Sequence, residues 1–169
     1  MDNITKLEQL KSAPKITTCF VDLDNTLWEG ILAEEQKPKL FTSRYKVLDQ
    51  LHQKGIQLYI VSKNDQEDVE TALRDLKLNK DLFTWIIANW DPKFVNIERL
   101  IRAAEIRPET AIFIDDNIFE LNEVKTKIPA IHLLEAPNID LVLSVPTVSS
   151  KKEQADSEIQ ERKNRYRTS

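Results

Sequence analysis

The sequence is poor in glycine. Only Gly30 and Gly55 occur in 169 residues. The phosphate-binding loops of dinucleotide-binding and P-loop proteins need at least two nearby glycines, because their backbones turn tightly and approach the phosphate closely. The chain therefore has neither loop, and any phosphate chemistry must use a metal, a lysine and loop amides.

Cysteine, basic surplus and long apolar runs are also scarce. Cys19 is the single cysteine, which excludes an internal disulfide and a zinc–thiolate cluster, and a buried structural thiol is expected there. The net charge of −4 offers no basic surplus to nucleic-acid phosphates. No run of 18 apolar residues exists, and the polar start, Met1 to Lys15, lacks the apolar core of a signal peptide. We therefore expect a cytoplasmic protein with no nucleic-acid partner and no membrane span.

Apolar segments of strand length alternate with amphipathic segments of helix length. The predicted strands are Ile16–Leu23, Ile56–Ser62, Trp85–Asn89, Ala111–Asp115 and Ala130–Leu133. The predicted helices are Ser43–Lys54, Gln66–Leu76, Lys93–Ala104 and Phe119–Lys127. This alternation predicts an α/β three-layer sandwich with a central parallel sheet of the Rossmann type.

The domain boundaries follow from composition. Residues 1–146 are predicted to form one domain, and the polar segment 147–169 to be a C-terminal tail or surface helix. The segment between Trp28 and the next helix is too short for a large cap domain.

Local signals predict how three helices begin or end. Gly55 stands at the position after a helix where a left-handed residue is common. Asn64, with Glu67 three residues on, predicts an N-cap close to a capping box. Asp91 predicts another N-cap, with Pro92 at the first helical position.

Two acidic pairs close predicted strands. Asp22 and Asp24 stand at i and i+2, so their side chains point the same way, roughly 7 Å apart. Carboxylates this close repel, which makes a cation the natural third component. Asp115 and Asp116 end another strand, and parallel strands end at one edge of the sheet, so a shared metal site is expected there. The alternative is that these residues turn a strand end or cap a helix.

The residue types favour phosphoryl chemistry. Asp22 and Asp24 suit a nucleophile and an acid/base, since a carboxylate can attack phosphorus while a second one protonates the leaving oxygen. Ser62 either holds a phosphate oxygen or builds a turn. Lys93 in a first helical turn opposes the helix dipole by roughly 0.3–1 kcal/mol. It therefore either neutralises a phosphoryl group or is a solvated surface lysine, and its replacement is expected to cost little stability.

Together these segments resemble the haloacid dehalogenase-like (HAD) phosphohydrolase superfamily over residues 16–134. The pattern Asp-x-Asp-x-Thr, Ser/Thr, Lys and an acid pair corresponds to Asp22, Asp24, Thr26, Ser62, Lys93 and Asp115-Asp116. Within the motifs, the residues 22–28, 61–65, 90–97 and 113–117 are similar to those of the FkbH-like subgroup. This subgroup is related to the magnesium-dependent phosphatases. It departs from that subgroup at Trp28-Glu29-Gly30, where the subgroup usually reads Trp-Gly-Gly.

The resemblance implies a role for each matched residue. Asp22 would be the nucleophile and Asp24 the acid/base. Mg²⁺ would be held by Asp22, the Asp24 carbonyl and Asp116, with Asp115 in support. Thr26, Ser62 and Lys93 would bind the substrate phosphate. The implied substrate is a phosphorylated small molecule, or a phosphorylated group on a carrier protein.

Three functions remain open at this point. The first is Mg²⁺-dependent phosphoryl hydrolysis or transfer through an aspartyl phosphate. The second, implied by the subgroup, is glyceryl transfer from a phosphorylated three-carbon acid to an acyl carrier protein. The third is a non-catalytic module that accepts or binds phosphate. A phospho-accepting signalling domain places the modified aspartate on the middle strand, whereas the strand taken here as the middle one ends at Ser62.

Overall fold

Strands and helices alternate through residues 7–12 and 14–146, which the computed structural model describes. The strands are β1 (Thr18–Val21), β2 (Trp28–Glu29), β3 (Lys39–Leu40), β4 (Gln57–Ser62), β5 (Trp85–Ala88), β6 (Ala111–Asp115) and β7 (His132–Glu135). The α-helices are α1 (Leu7–Ser12), α2 (Thr42–Gln53), α3 (Gln66–Asp75), α4 (Lys93–Ala103) and α5 (Ile118–Lys127). The predicted tail, 147–169, lies outside the described residues.

Five of these strands form the central parallel sheet. Their order is β5-β4-β1-β6-β7, and Cys19 in β1 lies opposite Leu58 in β4 and Ile112 in β6. Because the chain crosses over between neighbouring parallel strands, the helices must cover both faces of the sheet. The predicted three-layer α/β fold is confirmed.

Each face of the sheet has its own apolar core. Successive strand residues point to opposite faces, so Val21 packs with α2 and α3 while Phe20 packs with α4 and α5. The 3₁₀ turns over 136–144 add to the first core. The Phe20 and Tyr59 rings lie 5.5 Å apart in the second core. Burying one such large side chain contributes about 1.5–3 kcal/mol. Within the described ranges, no helix combines the length and apolarity needed to cross a bilayer.

A short flap replaces a cap domain between β1 and α2. Strands β2 and β3 pair antiparallel, with Trp28 opposite Leu40. The turn before this hairpin uses left-handed backbone at Asn25, with φ of 58°, and Gly30, directly after β2, has a positive φ of 114°. The Gly30 amide donates to the Asn25 Oδ1 at 2.9 Å, which ties the turn together. The absence of a large cap is confirmed for the described residues.

Helix ends agree with the sequence in one place and differ in two. Gly55 follows α2 with φ of 92°, as predicted. The predicted N-caps Asn64 and Asp91 are wrong: α3 begins after Asp65 and α4 after Pro92, and neither cap residue accepts a side-chain hydrogen bond from its helix. The Asn64 side chain donates to Asp24 at 3.0 Å instead, and Asp91 pairs with the side chain of Arg99 on α4 at 3.0 Å.

The strand positions also correct two expectations. The last strand is His132–Glu135 instead of Ala130–Leu133, because Ile131 first closes a turn by donating to the Ile128 carbonyl. The middle strand of the sheet is β1, which leads to Asp22, and not the strand that ends at Ser62. Strand position therefore gives no argument against a phospho-accepting domain.

Candidate active site

The ends of three adjacent strands meet at one edge of the sheet. Asp22 directly follows β1, and its amide donates to the Ile114 carbonyl of β6 at 3.0 Å. Ser62 is the last residue of β4, and Asp115 is the last residue of β6. Because β4 and β6 flank β1, the loops after these strands surround the Asp22 carboxylate.

Lys93 lies inside this cluster. Its ammonium contacts the Asp22 Oδ1 at 3.0 Å and the Asp115 Oδ2 at 2.6 Å, and the residue is only 5% exposed. The lysine is the first residue of α4, which directs its side chain over the end of β1. The surface-lysine alternative is wrong. The expectation that its replacement costs little stability assumed a solvated side chain, whereas two buried carboxylates depend on this cation, so we now expect a larger cost.

Burial and mutual contacts shift the pKa values of Asp22, Asp115 and Lys93. Desolvation raises the pKa of Asp22 to about 7, although the Lys93 ammonium opposes the shift. Desolvation likewise raises the pKa of Asp115 to about 6. Burial disfavours the Lys93 ammonium, but Asp22 and Asp115 outweigh it and raise the pKa of Lys93 above its usual range. The cluster therefore holds more negative charge than one lysine neutralises.

Asp116 completes a group of three carboxylates. One oxygen from each of Asp22, Asp115 and Asp116 lies within 4.8 Å of the others. Both oxygens of Asp115 already accept hydrogen bonds, one from Lys93 and one from the Asn117 amide at 3.0 Å. Asp116 is exposed, accepts a long hydrogen bond from the Thr26 Oγ1 at 3.4 Å and otherwise lies beside the carboxyls of Asp22 and Asp115. Asp116 therefore has the most free coordination capacity of the three.

Thr26 orients the Asp22 carboxylate. Its hydroxyl is buried and donates to the Asp22 Oδ2 at 3.0 Å. Arg44 on α2 donates to the carbonyls of Asn25 and Thr26 at 3.2 and 3.0 Å, which holds the loop that presents them. Sequence reasoning missed Arg44, because it reaches this loop from a separate helix. The assignment of Thr26 to the substrate phosphate stays a prediction.

Asp24 faces the flap. Its Oδ1 accepts from the Trp28 indole at 3.0 Å and from the Leu32 amide at 3.2 Å. Its Oδ2 accepts from the Asn64 amide nitrogen at 3.0 Å, and that nitrogen also donates to the Ser62 Oγ at 2.8 Å. The Asp24 carboxylate is not part of the three-carboxylate group, so its predicted ligand atom remains the backbone carbonyl. Asn64, misassigned as a helix cap, links Asp24 to Ser62.

Asn117, and neither residue of the second acid pair, caps the start of α5. The Asn117 side-chain oxygen accepts from the amides of Phe119 and Glu120 and so caps the helix. The alternative in which Asp115 or Asp116 serves as that cap is therefore wrong.

A cavity of ≈ 180 Å³ opens above the carboxylates. Asp22, Asp24, Lys93, Asp115 and Asp116 line it, and so do Lys63 and Glu120. Lys63 and Glu120 form an ion pair with 2.9 Å between Nζ and Oε1. Sequence reasoning missed this pair, since its members are far apart in the chain.

A larger groove of ≈ 380 Å³ lies between the flap and α3. It is lined by residues such as Leu32, Lys37, Asp68 and Ala72, and it contains none of the clustered acids. Chemistry therefore favours the smaller cavity as the reactive site.

Comparison with protein families identifies the type of domain. A family model for haloacid dehalogenase-like hydrolases matches residues 4–126. A search of curated protein sequences gives no match.

Three solved structures show the same architecture. The N-terminal, phosphatase-domain part of a Bacteroides fragilis protein, complexed with Mg, has 25% identity and a TM-score of 0.68, over 71% of this chain and 36% of that one. The 3-deoxy-D-manno-octulosonate 8-phosphate phosphatase of Moraxella catarrhalis has 21% identity and a TM-score of 0.51, over 70% and 66% of the two chains. A protein from Vibrio cholerae described as a phosphatase for the same substrate has 17% identity and a TM-score of 0.56, over 82% and 87%.

These three structures differ in how much of their length and sequence they share with this chain. The chain spans about a third of the length of the Bacteroides structure. At their low identity, the other two structures support the fold alone.

Proposed function

Because the chain belongs to the haloacid dehalogenase-like hydrolase family, we propose that it is a Mg²⁺-dependent phosphatase that forms an aspartyl phosphate on Asp22. The observation that carries this proposal is the buried contact of Lys93 with Asp22 and Asp115 beside the exposed carboxylate of Asp116. The Mg-complexed Bacteroides phosphatase domain supports it further.

The residues present fit Mg²⁺. This ion prefers oxygen ligands, usually one or two protein carboxylates together with water and substrate phosphate. Asp22 and Asp116 supply carboxylate oxygens, the Asp24 carbonyl is the proposed third ligand, and Asp115 supports them through its contact with Lys93. When bound, the ion neutralises negative charge on the cluster and on the phosphoryl oxygens.

Asp22 is the proposed nucleophile. Its carboxylate oxygen forms a bond to phosphorus while the bond from phosphorus to the leaving oxygen breaks, and that oxygen takes a proton from Asp24. Water then attacks phosphorus and gives a proton to Asp24, and the bond to Asp22 breaks to release inorganic phosphate. Thr26 and Lys93 hold the two Asp22 oxygens, so the carboxylate is oriented before the substrate arrives.

Ser62 and Lys93 are the proposed phosphate-binding groups. The Ser62 oxygen accepts from Asn64, which leaves the hydroxyl proton for a phosphate oxygen. Lys93 lies beside the nucleophile, where its charge offsets the charge that develops as phosphorus is transferred. Hydrolysis of an aryl phosphate with and without Mg²⁺ tests the proposal, and no release of phosphate at millimolar Mg²⁺ would contradict it.

Glyceryl transfer to a carrier protein is the second candidate. The short flap leaves the site uncapped, and Phe119 beside it is 80% exposed, which would suit a bulky partner. Cys19 is fully buried and burial raises the pKa of its thiol to about 12, so the chain's own cysteine is not available as a carrier of the acyl group. Transfer would therefore have to go directly to a partner thiol. Incubation with a phosphopantetheinylated carrier protein and a bisphosphorylated three-carbon acid tests this, with an unchanged carrier mass as the contrary result.

A phospho-accepting module without turnover is the third candidate. It differs from an enzyme in one measurable property, the number of phosphates released per protein molecule. Repeated release from an aryl phosphate excludes it.

We expect Mg²⁺ to raise the melting temperature more at about pH 8 than at about pH 6. Burial holds the pKa of Asp22 near 7 and that of Asp115 near 6, above the ordinary 3.8. The folded protein thus binds more protons than the unfolded chain between these values, so metal-free stability falls as pH rises from about 4 to about 7. The raised pKa of Lys93 acts only at much higher pH.

The pH dependence arises because Mg²⁺ binds the ionised carboxylates and competes with protons. At a concentration a hundred times Kd, linkage gives about 2.7 kcal/mol, or roughly 5 °C or more for a domain of this size. Thermal scans with Mg²⁺ and with EDTA at both pH values check this. A shift of equal size at both pH values would show that these carboxylates do not take up the metal.

Asp116→Ala should weaken Mg²⁺ binding more than Asp115→Ala does. Asp116 has free coordination capacity, whereas both Asp115 oxygens are engaged by Lys93 and the Asn117 amide. We expect the Mg²⁺ concentration for half-maximal activity to rise about a hundredfold or more for Asp116→Ala and about tenfold for Asp115→Ala. Titration of activity with Mg²⁺ in both variants decides the order, and the reverse order would exchange their roles.

A further inference from the structure

We propose that Lys63 determines substrate specificity by binding a second anionic group on the phosphorylated substrate. This inference deepens the proposed phosphatase function and rests on it for the position of the phosphate. The geometry that points to it is the Lys63–Glu120 ion pair on the wall of the reactive cavity.

The pair spans the reactive strand end. Lys63 directly follows β4, and Glu120 lies in the first turn of α5, after β6. Since β4 and β6 flank β1, this ion pair lies beside the Asp22 carboxylate, and all three residues line the same cavity. A substrate whose phosphate reaches Asp22 therefore places its remaining atoms near Lys63.

Lys63 is the available cation of this cavity. Lys93 is buried between two carboxylates, whereas the Lys63 side chain is 36% exposed and contacts Glu120. Among the described residues that line the cavity, these lysines face five carboxylates, those of Asp22, Asp24, Asp115, Asp116 and Glu120. A further anionic group on the substrate would be repelled here unless Lys63 paired with it.

Lys63 can bind a ligand without leaving Glu120. An ammonium has three N–H donors, and the contact with Glu120 Oε1 uses one of them. Glu120 Oε2 is buried and has no hydrogen-bond partner in the described structure, so Glu120 keeps its need for this cation. The remaining donors of the Lys63 ammonium can therefore pair with an anionic oxygen of a ligand beside Glu120.

The shared cavity determines where the second group lies. Lys63 and Asp22 line the same cavity of ≈ 180 Å³. The second group must therefore stand within a few bonds of the phosphate. The substrate class is a short phosphomonoester with an additional carboxylate or phosphate.

Binding of matched phosphonates tests the inference without turnover. The probes are 3-phosphonopropanoate, propylphosphonate, which has a methyl group in place of the carboxylate, and ethane-1,2-bisphosphonate. Titration calorimetry at saturating Mg²⁺ measures each Kd for wild type, Lys63→Met and Glu120→Gln. Lys46→Met is the control, because Lys46 is an exposed lysine on α2 that does not line the cavity.

The expected result is a change in selectivity, measured as the ratio of Kd values. Wild type should bind one of the two doubly anionic probes about tenfold more tightly than propylphosphonate, since a charged hydrogen bond contributes that much or more. Lys63→Met should bring this ratio close to one. Glu120→Gln should raise it about threefold, because the competing carboxylate is gone. Lys46→Met should leave it unchanged.

The possible outcomes either support the inference or overturn it. Preference for the carboxylate probe or for the bisphosphonate identifies the second group, and either supports the inference. Equal binding of all probes, no binding of any probe, or an equal loss for all probes in Lys63→Met overturns it. Hydrolysis of an aryl phosphate by the same samples reports on the phosphatase function, so failure of that function is distinguished from failure of the inference.

Discussion

Asp22→Asn is expected to lower phosphatase activity at least about a thousandfold while the fold is retained. An amide has the shape of a carboxylate but does not attack phosphorus. Its oxygen can accept from Lys93, and its NH₂ group can donate to Thr26, whose hydroxyl then rotates toward Asp116. The hydrogen bonds around the nucleophile are therefore kept.

The melting temperature of Asp22→Asn shows whether its loss of activity comes from lost chemistry or from unfolding. Burial raises the pKa of Asp22 to about 7, so the ionised side chain destabilises the metal-free protein at higher pH. The asparagine variant should then melt no lower than wild type at about pH 8 in EDTA, and its Mg²⁺-induced shift should be smaller.

Three measurements check Asp22→Asn. Initial rates on an aryl phosphate give the loss of activity, and thermal scans give the stability. Mass spectrometry of acid-quenched samples should detect a phosphoryl adduct on wild type and none on the variant. Asp140→Asn, at an exposed position in the 3₁₀ turns after β7, is the matched control and should behave as wild type. Activity of Asp22→Asn near the wild-type rate would exclude the covalent mechanism.

Lys93→Met is expected to remove both activity and a large part of the stability. The ammonium is the partner of two buried carboxylates, Asp22 and Asp115. Breaking a buried ion pair by removing one member costs about 3–5 kcal/mol, because the remaining charge is left uncompensated. We expect the free energy of unfolding to fall by about 3 kcal/mol at about pH 8 in EDTA.

The loss in Lys93→Met should depend on pH. Without the lysine, both carboxyls can escape the penalty by protonation, so the deficit should shrink as pH falls toward about 5. Adding Asp115→Asn to Lys93→Met should recover part of the stability at about pH 8, since it removes one unpaired buried charge. Urea unfolding at several pH values measures these differences.

A matched surface lysine provides the comparison for Lys93→Met. Lys46→Met changes an exposed lysine on α2 and should alter stability by less than about 0.5 kcal/mol. If Lys93→Met were no more destabilising than Lys46→Met, the ammonium would not be an internal partner of the acids.

Much of the architecture follows from local pattern. Strands such as Ala111–Asp115 were predicted because short apolar runs bounded by turn residues leave few alternatives. The positive φ of Gly55 was predictable for a similar reason, since a helix end of this type requires a left-handed residue. The acidic residues at the ends of β1 and β6 could be assigned to one edge because parallel strands share a direction.

Other features depend on contacts between distant parts of the chain. Asn64 has the composition of a helix cap, but Asp24, forty residues away in the chain, accepts a hydrogen bond from its side chain. Local spacing cannot decide such a competition, because the competing partner is brought close only by the packed sheet. Helices α3 and α4 both begin at the predicted residues, Gln66 and Lys93, so only the cap residue was misassigned.

By itself, then, the sequence determined the alternation of strands and helices, the residues at each strand end and the type of chemistry that they support. Only the tertiary structure decided that β1 is the middle strand, that Lys93 is buried between Asp22 and Asp115, and that Lys63 pairs with Glu120 beside the same cavity. The physical reason is range. Hydrophobic periodicity and turn chemistry act over a few residues, whereas burial and charge pairing join residues that only the packed sheet brings together.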